Sequence, residues 1–312
     1  MVDVYNSVIS RSDAAAQMPE DVGAELTRAV VEQSAALTLF RHVPMSRAQQ
    51  RMPVISALPT AYFVNGDTGL KQTTEAAWTN KYLDAEEIAV IVPIPEAVLD
   101  DAAFDVWGSI RPLLAEAAGR TLDAAIFFGT NKPASWPSAI VTAATAAGNT
   151  YERGTNAQAA GGVAQDISNL MALVEADGYD VNGIIASRAY RGLLRTQRAT
   201  TGQTLPEVSV GDAYGVNITY PMRGMWTTAA EVILGDFGEG LLGVRQDWTY
   251  KVLDQAVIQD GTGAIVYNLA QQDMVALRIV GRFAFQVANV INRDQPVDAN
   301  RYPFGVMTNT TP

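Results

Sequence analysis

The sequence contains no cysteine and only one histidine, His42. The absence of cysteine excludes disulfide bonds and thiolate chemistry, and it is typical of a protein made in a reducing cytosol. One histidine without cysteine also argues against a zinc site. His42 lies in the stretch "FRHVPM", after a predicted helix, where a packed or surface histidine is the simpler interpretation. We therefore predict no metal and no cofactor.

Long apolar runs are missing as well. The stretch "IAVIVPI" (residues 88–94) is far shorter than the roughly 18 apolar residues that a membrane span needs. The first residues, "MVDVYNSVISRSD", lack the basic and apolar regions of a signal peptide. The sequence therefore predicts a protein that makes no contact with a membrane.

Positive charge is scarce, because 22 lysines and arginines stand against 33 acidic residues, for a net charge of −11. There is no continuous basic run, whereas tight binding of nucleic acid needs clustered lysine and arginine. We expect any contact with DNA to be weak. Otherwise, 48% hydrophobic and 18% charged residues indicate a folded globular protein with a core.

A recognisable catalytic constellation is also absent from the sequence. Residues 238–243, "GEGLLG", match G-x-G-x-x-G, but a dinucleotide site needs this motif to open a helix. The alternating residues that follow predict a strand, so we interpret the glycines as a hairpin turn. The adjacent carboxylates Glu86 and Glu87 should point apart, and Asp101 is better explained as a helix cap. We predict no catalytic residues.

The most unusual feature that is present is a long hairpin over residues 51–95. Pro53 and Pro59 argue against a central strand, and Asn65-Gly66-Asp67 supplies a turn between two extended stretches. The tip is polar and has almost nothing to bury. A lone two-stranded hairpin is marginally stable in water, so we expect this one to rest on another surface.

Elsewhere helices and strands occupy separate parts of the chain, which indicates an α+β fold. Residues 1–17 predict a polar arm, which is followed by the start of a helix. Apolar residues at helical spacing predict a long helix over residues 102–129, with a bend at Pro112. Helices are also predicted at 163–177 and in "SRAYRGLLRTQ" (187–197), and the last third is rich in strands.

In this order and spacing, the segments resemble the major capsid proteins of tailed bacteriophages with the HK97 fold. The resemblance covers most of the chain, and it rests on the order of the segments rather than on any single motif. The segments that carry it are "MPEDVGAELTRAVVEQS", "RMPVISALPTAYFVNGDTGLKQTTEAAWTNKYLDAEEIAVIVPIPEAVLDD", "DAAIFFGTNKPASWP", "NGIIASRAYRGLLR", "EVILGDFGEGLLGVRQDW" and "MVALRIVGRFAFQVAN".

The resemblance implies an HK97-like capsid fold with an N-terminal arm, an extended β-hairpin loop, a long spine helix, and peripheral and axial domains. The expected division is 1–35 for the N-terminal arm and short helix, 36–50 for the start of the peripheral domain, 51–95 for the extended loop, 96–135 for the spine helix and peripheral domain, 136–255 for the axial domain, and 256–312 for the closing strands of the peripheral domain and the tail.

The resemblance also implies that the extended loop lies over a neighbouring subunit. The residues expected to make this inter-subunit contact are Tyr62, Phe63, Lys71, Glu75, Trp78 and Lys81. Aromatic side chains carry much of the energy of protein interfaces. The alternative is that these aromatics pack within the arm or on a helix of their own subunit.

Two departures from the family pattern shape the expected assembly. Some members begin with a scaffolding domain, whereas here the arm starts almost at Met1, so any scaffolding protein is expected to be separate. Some members join an arm lysine covalently to a neighbour's asparagine with a glutamate as catalyst. The last glutamate here is Glu239, which leaves Asn289 and Asn292 without a following glutamate. We therefore predict a shell without covalent cross-links.

The function implied is that of a structural virion protein, not an enzyme. The subunit is expected to form hexamers and pentamers of an icosahedral shell that encloses double-stranded DNA without binding it tightly. Expected partners are further copies, a portal, a separate scaffolding protein and a decoration protein. The expected location is the virion capsid, and the host cytoplasm during assembly. The alternatives are an encapsulin nanocompartment shell with the same fold and, in another class, a soluble α+β enzyme with an unrecognised carboxylate site.

Overall fold

The computed structural model describes residues 34–64, 71, 73–101, 105–197, 207–221 and 224–309. The predicted N-terminal arm, its first helix and the Asn65-Gly66-Asp67 turn lie outside these residues. The chain forms two compact units. Among the described residues, the smaller unit contains Glu87–Ala118 and Gln246–Arg282, and the larger unit contains the remaining parts.

The described chain is α+β, with all of its α-helices before residue 197 and mainly strands after it, although some strands also lie among the helices. The helices are α1 (Ala35–Leu39), α2 (Glu96–Asp101), α3 (Val106–Phe128), α4 (Ile140–Ala147), α5 (Gly162–Ala176) and α6 (Tyr190–Thr196). The strands are β1 (Arg41–Pro44), β2 (Gln49–Ala57), β3 (Ala77–Asp84), β4 (Glu86–Pro95), β5 (Thr150–Glu152), β6 (Gly183–Ala186), β7 (Asp212–Ala213), β8 (Val216–Thr219), β9 (Val232–Gly235), β10 (Gly240–Leu253), β11 (Val257–Gln259), β12 (Ile265–Asn268), β13 (Met274–Val287) and β14 (Phe304–Thr308).

The predicted long helix is α3, with Pro112 inside it, while the expected bend at Pro112 stays a prediction. Asp101 does not cap α3, because it is the last residue of the separate helix α2. The cap is Asp105 instead, whose Oδ1 accepts a hydrogen bond from the Gly108 N–H at 2.9 Å. The predicted role of Asp101 is therefore wrong, since the break between two helices could not be located from the run of acidic residues.

The core of the larger unit is a six-stranded sheet with the order β5-β14-β9-β6-β8-β7. Every residue of β6 and β9 is buried, as expected for strands that lie in the middle of a sheet and are covered on both faces. The apolar face of α5 packs on the sheet through Ile167, Leu170 and Val174. The sequence predicted α5, and the structure confirms this helix.

Gly235, at the end of β9, is a position that only glycine can occupy. Its φ is +154°, and a Cβ there would collide with the carbonyl oxygen of Pro303, just before β14. The close approach lets all four residues of β9 pair with β14, with Gly235 opposite Phe304.

Phe40, directly after α1, lies at the centre of an aromatic cluster in the larger unit. The rings around it, with centroids 5.6 to 6.3 Å away, are Phe127, Phe237, Phe285 and Phe304. These rings come from α3, from the turn after β9, from β13 and from β14. The cluster therefore joins segments that are far apart in the sequence.

The start of α1 is fixed to α3 by a buried carboxylate, Asp123. It accepts hydrogen bonds from the Ser34 hydroxyl at 2.5 Å and from the N–H groups of Ala35 and Ala36 at 2.9 and 3.0 Å. Burial raises the pKa of Asp123 to about 6, and these three hydrogen bonds oppose the rise. Ser34 is also the N-cap of α1, since its Oγ accepts from the N–H of Leu37.

The strand predicted after "GEGLLG" is β10, but the predicted hairpin turn before it is wrong. A 3₁₀ turn over Phe237–Glu239 leads from β9 to β10. β9 pairs with β6 and β14, whereas the first residues of β10 run parallel to β1. The two strands are therefore neighbours in sequence that belong to different sheets.

In the smaller unit, β10, β13 and β4 lie side by side in that order. Residues of α3 pack on this sheet through a cluster that contains Leu114, Leu277 and Ile279, with Val90 and Trp248 at its border. The stretch that was predicted as one returning strand of the hairpin is two strands, β3 and β4, which separate at Ala85. Within the described residues, no helix is long and apolar enough to cross a membrane.

Candidate assembly surface on the hairpin arm

The hairpin arm (β2, β3 and the residues between them, 49–84) is a two-stranded antiparallel ribbon. In its register, Ile55 lies opposite Trp78 and Arg51 opposite Tyr82. Pro53 lies between Arg51 and Ile55 on the same face, and it is tolerated because both strands of a two-stranded ribbon are edge strands. Opposite residues share one face of such a ribbon, so Ile55, Trp78 and Tyr82 form one apolar face.

This face is turned to solvent. The exposed fractions are 40% for Ile55, 67% for Trp78 and 46% for Tyr82. Large apolar side chains that share one exposed face of a ribbon indicate an interaction surface when they form a contiguous patch. We call Ile55, Trp78 and Tyr82, together with Arg51 and Pro53, the outer face of the arm.

The opposite face of the arm packs against its own unit. Leu83 is completely buried and contributes to a cluster with Met45, Leu241 and Ala284, with Met52 at its border. The arm is therefore held at its base by ordinary hydrophobic packing, and only the outer face lacks such cover.

Lys81 also belongs to the packed face. Its Nζ donates a hydrogen bond to the carbonyl oxygen of Val287 at 3.1 Å, at the end of β13. Burial lowers the pKa of Lys81, while Asp298 and Glu239 favour the charged form and Arg301 disfavours it. Lys81 is thus an anchor of the arm within its own chain, unlike the other five residues expected to contact a neighbour.

The other five expected contact residues are exposed. Phe63 is 102% exposed and Tyr62 45% exposed, and Lys71, Glu75 and Trp78 are exposed as well. Near the base of this segment, Thr60 donates its N–H to the Thr74 hydroxyl. The aromatic side chains of Phe63 and Trp78 therefore do not pack within the arm, which was the alternative considered from the sequence.

Sequence reasoning identified Trp78 but missed the other two large apolar residues of the outer face, Ile55 and Tyr82. A signal for them was present, because Arg51, Pro53 and Ile55 alternate with the residues that face the core. Period-two alternation assigns every second residue of a strand to one face. The sequence did not predict the register between β2 and β3, which places Ile55 beside Trp78.

The two asparagines considered for cross-linking are engaged within their own unit. The side chain of Asn289 accepts from the Tyr179 hydroxyl at 2.9 Å and donates to Asp298 at 3.1 Å. The side chain of Asn292 donates to the carbonyl oxygen of Asp177 at 2.6 Å. Across the described residues, no group of three or more acidic or histidine side chains could hold a metal ion.

Comparison with known proteins gives a consistent result. Residues 15–290 match the Phage capsid family. The major capsid protein of Staphylococcus phage 80alpha is 28% identical over 268 residues, which cover 83% of this chain and 78% of the relative. A solved structure from Microbacterium phage Oxtober96 is 38% identical with a TM-score of 0.83, and covers 97% of this chain and 100% of the other. One from Mycobacterium phage Adephagia is 32% identical with the same TM-score, and covers 98% and 99%. The chain belongs to the Phage capsid family and has the HK97-like fold of phage major capsid proteins.

Proposed function

We propose that this chain is the major capsid subunit of a tailed phage and that it assembles as hexamers and pentamers into an icosahedral shell around double-stranded DNA. Family membership identifies a structural protein of the virion capsid that associates with itself, not an enzyme. The observation that carries the proposal is the outer face of the arm, which the described residues leave uncovered. The encapsulin and enzyme alternatives are not favoured.

The proposed partner of the outer face is a second subunit. Burying the side chains of Trp78 and Phe63 stabilises a contact by about 1.5–3 kcal/mol each. If this stabilisation is available only in a contact between copies, the ribbon is marginally stable in the free subunit and becomes fixed when subunits assemble. We therefore keep Tyr62, Phe63, Lys71, Glu75 and Trp78 as proposed contacts and add Ile55 and Tyr82. Lys81 is removed from this set, since it binds Val287 of its own chain.

The shell is proposed to be held together without covalent cross-links. An arm lysine would need an unengaged asparagine and a carboxylate that acts as a base. The hydrogen bonds of Asn289 and Asn292 keep both side chains engaged within the subunit. The Nζ of the half-buried Lys81 is likewise engaged with the carbonyl oxygen of Val287.

A carboxylate is near these groups, because Glu239 accepts from the N–H of Val290 at 3.4 Å and interacts with Lys81, so the absence of a nearby glutamate that was expected from the sequence is wrong. The engagement of the amine and amide groups is what supports a non-covalent assembly, in which heating in detergent separates the shell into monomers.

The proposed axial domain is built on the six-stranded sheet. This sheet includes β14 and excludes β10, so we propose that the axial domain contains Phe304–Thr308 and ends before Gly240 rather than at residue 255. The net charge of −11 supports a shell wall that encloses DNA without binding it tightly.

The proposed partners beyond further copies are a portal, a separate scaffolding protein and a decoration protein. The proposed site of assembly is the host cytoplasm.

The test is electron microscopy in negative stain, with sedimentation velocity, on the wild-type chain and on the double variant Phe63→Ser/Trp78→Ser. The wild type is expected to form capsomers or closed shells, alone or with its neighbouring genes co-expressed, and the double variant to remain unassembled but folded. The variant Thr79→Ser, on the inner face beside Trp78, serves as the control. A wild type that stays monomeric under both conditions contradicts the proposal, and shells filled with a cargo protein instead of DNA would favour an encapsulin.

A further inference from the structure

The distribution of charge on the larger unit points to a second surface. Between Asp180 and Glu207 the sequence contains no carboxylate, but it contains four arginines: Arg188, Arg191, Arg195 and Arg198. Acidic residues outnumber basic ones in the chain as a whole. Two other stretches without a carboxylate, 33–66 and 274–293, contain three arginines each, so the group of four is the largest of its kind. Arg198 lies outside the described residues, and the other three belong to α6 and the turn before it.

The arginines are not consecutive, but the helix brings them together. Arg191 and Arg195 are one turn apart in α6, and residues at this spacing share a helix face. The N–H of Arg191 bonds to the carbonyl oxygen of Arg188 at 3.3 Å, so Arg188 lies one turn earlier. All three side chains are exposed. We call Arg188, Arg191 and Arg195 the arginine face of α6.

The opposite side of α6 is fixed in the core. Tyr190 and Leu194 are buried, and the Tyr190 hydroxyl reaches the sulfur of Met307 in β14. A helix held by two buried side chains presents its other face in one orientation. The arginine face is therefore a rigid feature of the subunit rather than a set of charges on a loop.

Arg191 is held in place individually. Its guanidinium carbon lies 4.7 Å from the centre of the Tyr220 ring. The Tyr220 hydroxyl in turn donates to the carbonyl oxygen of Val210 at 2.6 Å, which fixes the ring. Stacking on an aromatic ring leaves the N–H groups of a guanidinium available at its edge. Less conformational entropy is then lost when Arg191 meets an acidic partner.

The overall charge of the chain suggests which partner this is. Copies that each carry −11 repel one another unless basic regions of one copy meet acidic regions of the next. The larger unit also exposes carboxylates, such as Glu175 at the end of α5 and Asp180 after it. One chain thus carries two different surfaces of opposite charge, which is what a head-to-tail contact in a ring requires.

We propose that the arginine face of α6 is a contact surface for the acidic larger unit of a second copy of this chain. The inference rests on the proposed function, because it assigns a further contact within the same shell. It also differs in kind from the outer face of the arm. The arm offers apolar area, whereas the arginine face supplies charge, which sets orientation and association rate and is weakened by salt.

The test compares three full-length variants in the assembly reaction of the wild type: Arg188→Glu/Arg191→Glu/Arg195→Glu, Arg191→Glu, and the control Arg111→Glu on the exposed side of α3. At about 0.05 M salt, where screening is weak, the triple variant is expected to form capsomers at least about tenfold less efficiently. Arg191→Glu should show a smaller loss in the same direction, and Arg111→Glu should assemble as the wild type does. Raising the salt to about 0.5 M should narrow the gap between the triple variant and the wild type.

Three results would overturn the inference. The first is a folded triple variant, with the melting temperature of the wild type, that assembles normally. The second is a normal shell that packages less DNA, which would assign the face to phosphate instead. The third is an assembly defect that salt does not change.

If the triple variant melts at a lower temperature than the wild type, the corresponding triple Arg→Gln variant replaces it, and a smaller loss of assembly is expected. A wild type that forms no capsomers under any condition is a failure of the proposed function, whereas normal shells from the triple variant refute this inference alone.

Discussion

The hairpin arm and the six-stranded sheet of the larger unit are both made of β-strands, but they are completed in different ways. In the sheet, β6 and β9 are buried along their whole length and α5 covers one face. In the arm, Leu83 packs inward while Trp78 and Ile55 remain exposed on the outer face. The apolar side chains of the sheet are therefore buried within one chain, whereas those on one of the two faces of the arm remain exposed. The difference separates residues that we expect to decide folding from residues that we propose to decide assembly.

The largest expected effect comes from breaking the sheet itself. Gly235→Val should prevent the larger unit from folding, because a side chain collides with the Pro303 carbonyl at a φ of +154°. The expected result is insoluble chain, or a loss of more than about 4 kcal/mol in the free energy of unfolding. Gly211→Val, where a Cβ meets nothing within 4 Å, should leave the protein soluble. The comparison is made by solubility and circular dichroism, and equal yields of the two variants would refute the argument.

A smaller effect separates the two faces of the arm. Leu83→Ala should lower the free energy of unfolding of the unassembled subunit by about 2–5 kcal/mol, since it leaves a cavity beneath the ribbon. Trp78→Ala should change it by less than about 0.5 kcal/mol, because Trp78 is exposed in the free subunit. Chemical denaturation of both variants measures the difference. A large destabilisation by Trp78→Ala would show that its ring already packs within the subunit.

A pH-dependent effect of comparable size is expected at Asp123. Its pKa in the folded protein is about 6, above the ordinary value of 3.8, so between these values the folded state binds more protons than the unfolded state. The stability contributed by the protonated form is complete below pH 3.8 and is lost as the pH rises through 6. The loss amounts to at most about 3 kcal/mol.

The measurement for Asp123 is the unfolding free energy of the wild type minus that of Asp123→Asn, from about pH 4 to about pH 7. Because asparagine does not titrate, the difference isolates this one carboxyl group. It should decrease as the pH rises. A difference that is constant or increases with pH would show that the three hydrogen bonds from Ser34, Ala35 and Ala36 outweigh burial.

The smallest effect is expected at the anchor of the arm. Lys81→Met keeps the apolar part of the side chain but removes the hydrogen bond to Val287. The free energy of unfolding is expected to fall by about 1 kcal/mol or less, because the lost hydrogen bond is partly offset by removing the desolvation penalty of the ammonium group. Hydrogen exchange of β2 and β3 in the unassembled subunit should increase more than exchange in β9. Unchanged exchange in the arm would mean that Leu83 alone fixes its base.

Elements with a strong local pattern could be predicted from the sequence. The long helix α3, the helix α5 and the strand β13 each repeat their apolar residues at the period of their element. Pairing could not be predicted in the same way. The strands β9 and β10 follow each other closely and read as a hairpin, but β9 pairs with β14 from the far end of the chain. Pairing between segments that are far apart in the sequence produces no local sequence pattern from which it could be predicted.

The candidate surfaces show the same division. The exposure of Trp78 and Phe63 could be predicted because both residues lie in a polar hairpin with little to bury. Ile55 and Tyr82 required the register of the ribbon. The arginine face of α6 escaped a search for consecutive basic residues, because its members are three and four positions apart. Lys81 looked like its neighbours in sequence, and only the end of β13 revealed its different role.

The place of β14 in the sheet has a consequence for protein synthesis. β14 lies between β5 and β9, so these two strands, which leave the ribosome much earlier, wait for residues 304–308 before they are joined. A nascent chain that stalls before Phe304 exposes the edges of both strands and cannot offer a finished surface to other subunits. We therefore expect the incorporation of a subunit to require translation through β14, so that interrupted chains stay out of a growing particle.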